Sequence, residues 1–401
     1  MHPAEEIRGT KSRLLSKKQI ILGLTGSIAA VETIKLAREL IRHGAEVIPV
    51  MTQNATKIIH PDAIWFATGE KPITRLTGVT EHVTFCGQVK KPADLLLICP
   101  CTANTISKIA HGIDDTTVTT FATTAIGSKI PILIVPAMHI SMYDHKIIQE
   151  NIKKCKKNGI KFIEPKIEKN KAKLPETEEI IANVIRETNK KKLSNKKILI
   201  IGGSTSEPID DVRSITNRSS GKTAISLAKN AFYHGAETEL WYGKTSSEKP
   251  PIFIKTTIFE TTNDLLKMIN KSNLKKYDII ILCAAISDYI PEKQKGKIPS
   301  GKNKVILELK PSQKIIKNIR EETKTSKTKI IAFKLETKKE NLKEKATKLL
   351  KQNNIDYVIG NTTKNLGKNE NEIWIFSKNR KTIHRKDKKE NLAGYILDIV
   401  K

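Results

Sequence analysis

The sequence predicts an α/β protein of two Rossmann-like, doubly wound domains, one over residues 1–192 and one over 193–401. Three observations carry that expectation. Short runs of Ile, Leu and Val recur in both halves, apolar without alternation, as in parallel strands covered on both faces. Segments of helical spacing, closed by glycine, lie between several of these runs. A Lys/Asn/Ser stretch at 190–195 separates the two series and reads as a linker.

In order along the chain, Gln19–Leu24 is a buried strand, Gly26 and Ser27 form a tight turn, and Ala29–Arg42 has helical spacing. Gly44 ends that helix and Glu46–Met51 is the next strand, a βαβ unit that implies parallel pairing with a right-handed crossover. Asp94–Cys99 and "KIPILIVPAMH" add two more strands. A helix of charged and apolar residues around "ETEEIIANVIRET" precedes the linker. The second series opens with a strand at Lys197–Ile201, a helix from Lys222 to His234 and the strand "GAETELWYG". "KKYDIIILCAAISDY", "KTKIIAFKLET", "IDYVIGN" and "NEIWIFS" supply its other strands.

The 401 residues, 38% hydrophobic and 28% charged, suit globular domains with full cores. No apolar run reaches the ~18 residues that span a bilayer, and Met1–Lys18 lacks the apolar centre of a signal peptide. Five scattered cysteines, with Cys99 and Cys101 lacking a second pair, point away from zinc and towards a reduced, cytoplasmic protein. The net charge of +29 is uneven: residues 1–150 hold 16 Lys+Arg and 13 Asp+Glu, and the rest hold 55 and 29. No nucleic-acid-binding module accompanies these lysines, so the charge reads as compositional bias or as a field that draws small anionic substrates. A basic nucleic-acid-binding protein on a Rossmann scaffold is the competing reading, and steep salt dependence would mark it.

Open α/β sheets bind ligands beyond the carboxyl ends of their strands. In the first half that places Thr25–Ser27, Thr52–Ala55, Pro100–Asn104 and Pro136–His139 near a site. Gly26 and Ser27 open a helix whose free N–H groups suit a phosphate, and the absence of GxGxxG favours a mononucleotide such as a flavin phosphate. His82, in "TEHVTFCG", is a candidate base, although His60, His139 and His145 have equal claims on chemistry alone. "ITNRSSGKT" ends like a P-loop, yet Thr216 stands where that motif needs its first glycine and no strand directly precedes it. Ser219 and Ser220 are instead expected to cap the helix entered at Gly221–Lys222.

"LGLTGSIAAVET", "EHVTFCG", "ADLLLICPCTANTISKIAHGIDD" and "PAMHISMYDH" together resemble the flavin-dependent cysteine decarboxylases of coenzyme A synthesis. "GGSTSEPIDDVRSITNRSSGKTAISLAKNAFYHGAE", "CAAISDYIPEKQKGKIPSGK" and "FKLET" resemble the phosphopantothenate–cysteine ligases. From Lys18 onward the chain is similar to the fused bifunctional enzymes that carry both. The resemblance implies FMN bound by Gly26, Ser27, Thr52, Thr102 and Asn104, with His82 as the active-site histidine. It implies substrate contacts at His139 and Met142, His139 standing where the family has asparagine and Tyr143 where it has tryptophan. Flavin oxidation of the substrate thiol to a thioaldehyde gives the carbanion left by CO2 a sulfur-based sink. The family's Ala-Cys-Gly flap has no counterpart in "EPKIEKNKAKLPETEEI", which leaves Lys171, Lys173, Cys155 or water as proton source.

For the second half, the resemblance implies that CTP activates 4′-phosphopantothenate as an acyl-cytidylate, which the amine of cysteine attacks. Asn217 matches the asparagine associated with that intermediate, and Lys297 the lysine on the nucleotide phosphates, where its charge favours the transition state. Asp288, Phe333, Lys348 and Lys351 match further CTP contacts, and Ala284 and Ala285 leave room beside the substrate. Lys334 in "FKLET" adds a charge that the family lacks. Mg²⁺ is expected with CTP, although no ligands for it are legible. The implied partners are 4′-phosphopantothenate, cysteine and CTP, with neither nucleic acid nor membrane. A homo-oligomer is implied too, with trimeric contacts in the flavin half and dimeric ones in the ligase half. The absent flap cysteine leaves one alternative: a ligase carrying a degenerate flavin-binding domain.

Overall fold

The apolar runs become the strands of two parallel sheets, one in each of two units, Met1–Asn189 and Lys190–Lys401. The computed structural model describes residues 1–401 except 169, 302, 303, 366, 367 and 379. Lys302, the last residue of the "KGKIPSGK" string, therefore lies outside the described residues.

In the first unit, α1 (Pro3–Glu6) belongs to a leader that packs on the domain: Ala4 and Leu15 are fully buried, and Arg8 donates to the carbonyl of Ala45. β1 (Gln19–Leu24) leads into a 3₁₀ turn, Ile28–Glu32, and then α2 (Thr33–Arg42). The single helix expected from Ala29 is divided there, because the Thr33 hydroxyl donates to the Ala30 carbonyl and competes with α-helical pairing. Next come β2 (Glu46–Met51), α3 (Gln53–Thr56), α4 (Pro61–Thr68), α5 (Glu81–Cys86), β3 (Leu95–Cys101), α6 (Ala103–His111), α7 (Thr117–Gly127) and β4 (Ile132–Pro136). The unit closes with β5 (Met138–His139), α8 (Ile140–Tyr143), α9 (Lys146–Lys157), β6 (Lys161–Phe162), β7 (Lys166–Glu168), β8 (Lys171–Lys173) and α10 (Thr177–Thr188). The main sheet is parallel in the order β2-β1-β3-β4-β6, the flavodoxin-like winding, which reverses between β1 and β3. A small antiparallel sheet, β5-β8-β7, accompanies it.

The second unit comprises β9 (Lys197–Gly202), β10 (Ser206–Pro208), β11 (Ser214–Thr216), α11 (Lys222–Tyr233), β12 (Glu237–Gly243), β13 (Lys255–Phe259), α12 (Thr262–Lys271) and β14 (Ile279–Leu282). It continues through β15 (Tyr289–Pro291), β16 (Leu309–Pro311), α13 (Ile315–Thr323), β17 (Lys329–Glu336), α14 (Glu340–Gln352), β18 (Tyr357–Thr362), β19 (Glu370–Ser377), β20 (Ile383–Lys388) and α15 (Lys389–Val400). Its sheet runs β13-β12-β9-β14-β17-β18-β19-β20, parallel as far as β18, with the last two strands antiparallel. The first six have the 3-2-1-4-5-6 order of a dinucleotide-binding fold, reversing between β9 and β14. Both faces are buried. Ile198 and Ile200 join Leu227, Ala231 and Leu397 on one side, while Leu199 and Ile201 join Leu265, Ile319 and Leu350 on the other. Each such aliphatic side chain contributes about 1.5–3 kcal/mol by leaving water.

The start of α11 bears out part of one expectation. Ser220 Oγ accepts the Lys222 N–H (3.4 Å), while Gly221 occupies the N-cap itself with φ +79°, where a Cβ would fall 1.8 Å from Tyr242 Oη. Both the left-handed backbone and the tyrosine require glycine. Tyr242 donates to the carbonyl of Glu248 (2.9 Å), with that of Ser220 at 3.3 Å, while Lys222 Nζ reaches Asn369 Oδ1 (3.1 Å) and the Glu248 carboxylate (3.5 Å). The Gly-Lys-Thr triplet is structural.

Candidate functional site

In the first unit the loops after β1 and β3 meet where the winding reverses, and Thr25 joins them. Its buried hydroxyl donates to the Pro100 carbonyl (2.9 Å) and accepts the Thr102 N–H (3.0 Å). Gly26 approaches α3 so closely that a Cβ would lie 2.6 Å from that of Asn54. Ser27 donates to the Ala137 carbonyl (3.1 Å), tying this turn to the loop after β4. Thr52 and Thr102 cap α3 and α6, accepting from Ala55 N–H (3.2 Å) and Thr105 N–H (3.3 Å). The Thr52 hydroxyl keeps its own hydrogen to donate. Asn104 is exposed in the first turn of α6. All five residues implied for FMN thus lie on loops or helix starts at the carboxyl edge of the sheet. Thr25 had no assigned role in the sequence; its position directly before the Gly-Ser turn was the available signal.

A cleft of about 480 Å³ opens beside Ser27, walled by the start of α2, by Ala137–His139 and by Lys171–Thr177. That volume suits a small organic ligand. On its wall, His139 Nδ1 meets the Ser141 hydroxyl (2.8 Å) and the Ser141 N–H (3.3 Å), which leaves Nε2 without a partner among the described residues. The β5–β8 register sets Lys171 directly opposite His139. Lys173 pairs with Glu168 (3.0 Å), whereas Lys171 has no ion-pair partner among the described residues. Cys155 is buried away from the cleft walls: it is 1% exposed in the core and its sulfur faces the Ile106 carbonyl (4.0 Å), which disfavours it as a proton source.

Met142, 48% exposed on α8, lies outside the cleft walls, and Tyr143 donates to Glu164 Oε2 (2.5 Å). His82 is half-buried in the first turn of α5, also away from these walls. Its Nδ1 is buried with no hydrogen-bond partner among the described residues. An unmet buried ring nitrogen costs roughly 1–3 kcal/mol, so it calls for a partner. His60 is taken up as the cap of α4 (3.3 Å to Asp62 N–H), and His145 precedes α9. A close glycine turn, hydroxyl donors and an adjoining cleft are a donor set that fits a flavin mononucleotide.

In the second unit the matching place is the β9/β14 reversal. Ala285 N–H donates to the Gly203 carbonyl (2.8 Å), and the Ala285 carbonyl accepts from Thr205 N–H (3.3 Å) and Asn217 Nδ2 (3.1 Å). Asn217, from the loop between β11 and α11, is thereby brought against Ala284 and Ala285. Asp288 is exposed beyond them and holds Lys314 Nζ (2.5 Å). Lys297 is exposed and has no partner among the described residues. Phe333 follows Ala332, the register partner of Leu282, and packs on the core cluster of Leu227, Ile373 and Ile396. The extra charge of Lys334 is balanced by Glu336, which also holds Lys345 (3.3 and 2.7 Å). Lys348 and Lys351 are exposed about 12 and 17 Å along α14 from its start. Among the described residues, no three His, Cys, Asp or Glu group as a metal site, and no helix is long and apolar enough to cross a membrane.

Residues 8–189 match the Flavoprotein family, and residues 193–401 match the DNA/pantothenate metabolism flavoprotein C-terminal domain. A protein of Thermococcus kodakarensis, the coenzyme A biosynthesis bifunctional protein CoaBC, is 47% identical over 397 residues, which cover 97% of this chain and 96% of that relative. The chain belongs to the CoaBC family. The CoaBC protein of Methanocaldococcus jannaschii is 40% identical over 392 residues, 94% of this chain and 92% of its own. Among solved structures, the DNA/pantothenate metabolism flavoprotein from Streptococcus pneumoniae aligns with 51% of this chain and 98% of its own, at 28% identity and a TM-score of 0.45. As a CoaBC-family member, the chain is a bifunctional enzyme of coenzyme A biosynthesis, with a flavoprotein decarboxylase domain and a ligase domain. Both halves match, so nothing favours the ligase-only alternative.

Proposed function

We propose that the domain over 193–401 joins cysteine to 4′-phosphopantothenate with CTP and Mg²⁺, through an acyl-cytidylate, in the cytoplasm. The domain over 1–192 then decarboxylates phosphopantothenoylcysteine to 4′-phosphopantetheine with FMN. One observation carries this reading: in each unit, residues implied for the reaction gather where the sheet's winding reverses, the ligand position of open α/β folds.

For ligation, a carboxylate must first gain a leaving group, which CMP provides. Asn217 uses one amide hydrogen on Ala285, and its other amide hydrogen donates to an acyl or phosphoryl oxygen without adding charge. Lys297 offers an unpaired ammonium to the phosphates, and Asp288, Phe333, Lys348 and Lys351 complete the proposed nucleotide contacts. For decarboxylation, His139 offers its ring Nε2 to the substrate carboxylate where an amide would otherwise stand, and Met142, outside the cleft walls, would have to reach the substrate from α8. The unpaired ammonium of Lys171 supports it over Lys173 as the proton source. When bound, the flavin supplies the two-electron oxidation and return reduction that let an unactivated carboxylate lose CO2. Exposed Trp65 and Phe66 in one unit, and Tyr289, Ile306 and Leu309 in the other, support a homo-oligomer.

Removal of flavin separates the two activities. Stripped protein is expected to keep CTP-dependent pyrophosphate release and to accumulate phosphopantothenoylcysteine, and added FMN is expected to restore CO2 release. Loss of both activities on stripping would count against two independent sites.

A further inference from the structure

The "EPIDDVR" segment supplies no group to the reaction as read above, yet it contains a carboxylate with a fully buried side chain. The Asp210 side chain is 0% exposed, and its two oxygens face different parts of the chain. Oδ1 accepts the N–H groups of Val212 (2.8 Å) and Arg213 (2.6 Å), closing its own turn. Oδ2 accepts the N–H of Ile298 (3.0 Å), 88 residues away, and the guanidinium Nη1 of Arg213 (2.8 Å). The same Nη1 reaches the Ile298 carbonyl (3.2 Å). Next to it, Asp211 accepts the Gly296 N–H (2.9 Å), donates its own N–H to the Gly296 carbonyl (3.1 Å) and pairs with Lys293 (2.7 Å). Both residues that flank Lys297 are therefore fixed by their backbones, while Lys297 itself stays unpartnered. From Arg213 the chain runs directly into β11, paired with β10, and then to Asn217.

We propose that Asp210 is a positioning residue of the ligase site: its carboxylate brackets the Asp210–Arg213 turn to the Gly296–Ile298 segment and so sets Lys297 relative to Asn217. This rests on the roles given above to Lys297 and Asn217. Charge-assisted bonds from N–H groups to a carboxylate are short and directional, which suits a part that must not drift. The Ile298 N–H, followed by those of Val212 and Arg213, holds the Asp210 carboxyl well below the ordinary carboxylate range, so the bracket stays charged through the neutral range. Asp210→Asn keeps the shape but turns one acceptor into an NH2 group facing N–H donors. A displacement of about 1 Å in a positioned group costs on the order of 100-fold in rate.

The test is a double-mutant cycle on CTP-dependent pyrophosphate release with Asp210→Asn, Lys297→Ala and the pair. Asp210→Asn is expected to lower kcat about 100-fold, and the pair is expected to fall no further than Lys297→Ala, within about twofold. Hydrogen exchange at Gly296 and Ile298 is expected to quicken at least tenfold while the β9 amides stay protected. Should Asp210→Asn fail to fold, Arg213→Ala leaves all three N–H bonds to Asp210 in place. A loss of about tenfold is expected for it, absent in the Lys297→Ala background. Losses that multiply, or a rate within twofold of the parent for Asp210→Asn, overturn the bracket while leaving the ligase reading intact. An active parent unaffected by Lys297→Ala overturns the role of Lys297 and the bracket with it. A flavin-loaded parent that releases no pyrophosphate overturns the ligase reading itself.

Discussion

His82→Asn is expected to lower CO2 release from phosphopantothenoylcysteine by about 100-fold or more, the usual scale for losing a proton-transferring group. Pyrophosphate release from CTP is expected to stay within twofold of the parent. The substitution keeps a polar side chain of similar reach but removes the titratable ring. The half-buried His82 carries a ring nitrogen that no described residue satisfies, so the ring is held ready for something other than its own fold. Because the ligase residues lie in the other unit, an effect on ligation is not expected. A normal decarboxylation rate in the variant would remove His82 from the site. Equal loss of both activities would point to a folding defect instead.

Asn217→Asp is the second substitution with a large expected effect, a fall of about 100-fold or more in ligation with a much smaller change in CTP binding. The neutral amide now donates to the Ala285 carbonyl at 3.1 Å. A carboxylate there sets oxygen against oxygen and adds negative charge beside the acyl phosphate. Asn217→Ala removes the same hydrogen bond without adding charge, so its loss is expected to be about tenfold smaller. Measuring pyrophosphate release and CTP affinity on both variants separates charge from contact. Equal losses in turnover and CTP affinity would argue against a role at the acyl-cytidylate.

The long elements were legible because their chemistry is local. Runs such as Ile279–Leu282, buried throughout, announce a central strand, and the apolar stripe of α11 announces a helix. The short strands were not legible. β7, β10, β11, β15 and β16 have three residues each, too few for a period to show, and they form through partners elsewhere in the chain. β20, Ile383–Lys388, is almost wholly charged or polar and reads as linker; at a sheet edge those charges guard against further pairing. The difference between the two windings was also hidden, since it depends on which strand each crossover returns beside.

The site residues showed the same division. Gly26, Ser27, Thr102 and Asn217 sit in motifs, so their loops were visible from the chain alone. The requirement for glycine at 221 comes from Tyr242, and the reach of Asp210 to Ile298 spans 88 residues. Neither has a local signature. The proton source follows the same rule: Cys155 stands near the expected flap in sequence, but packing takes it into the core.

The central claim is that one chain carries both steps, although the stretch matching the flap has no cysteine. The most direct measurement gives flavin-loaded protein phosphopantothenoylcysteine and follows CO2 together with the organic product. One CO2 for each 4′-phosphopantetheine formed is the predicted result. Intact substrate and no CO2, from flavin-loaded protein that still ligates cysteine with CTP, would contradict it.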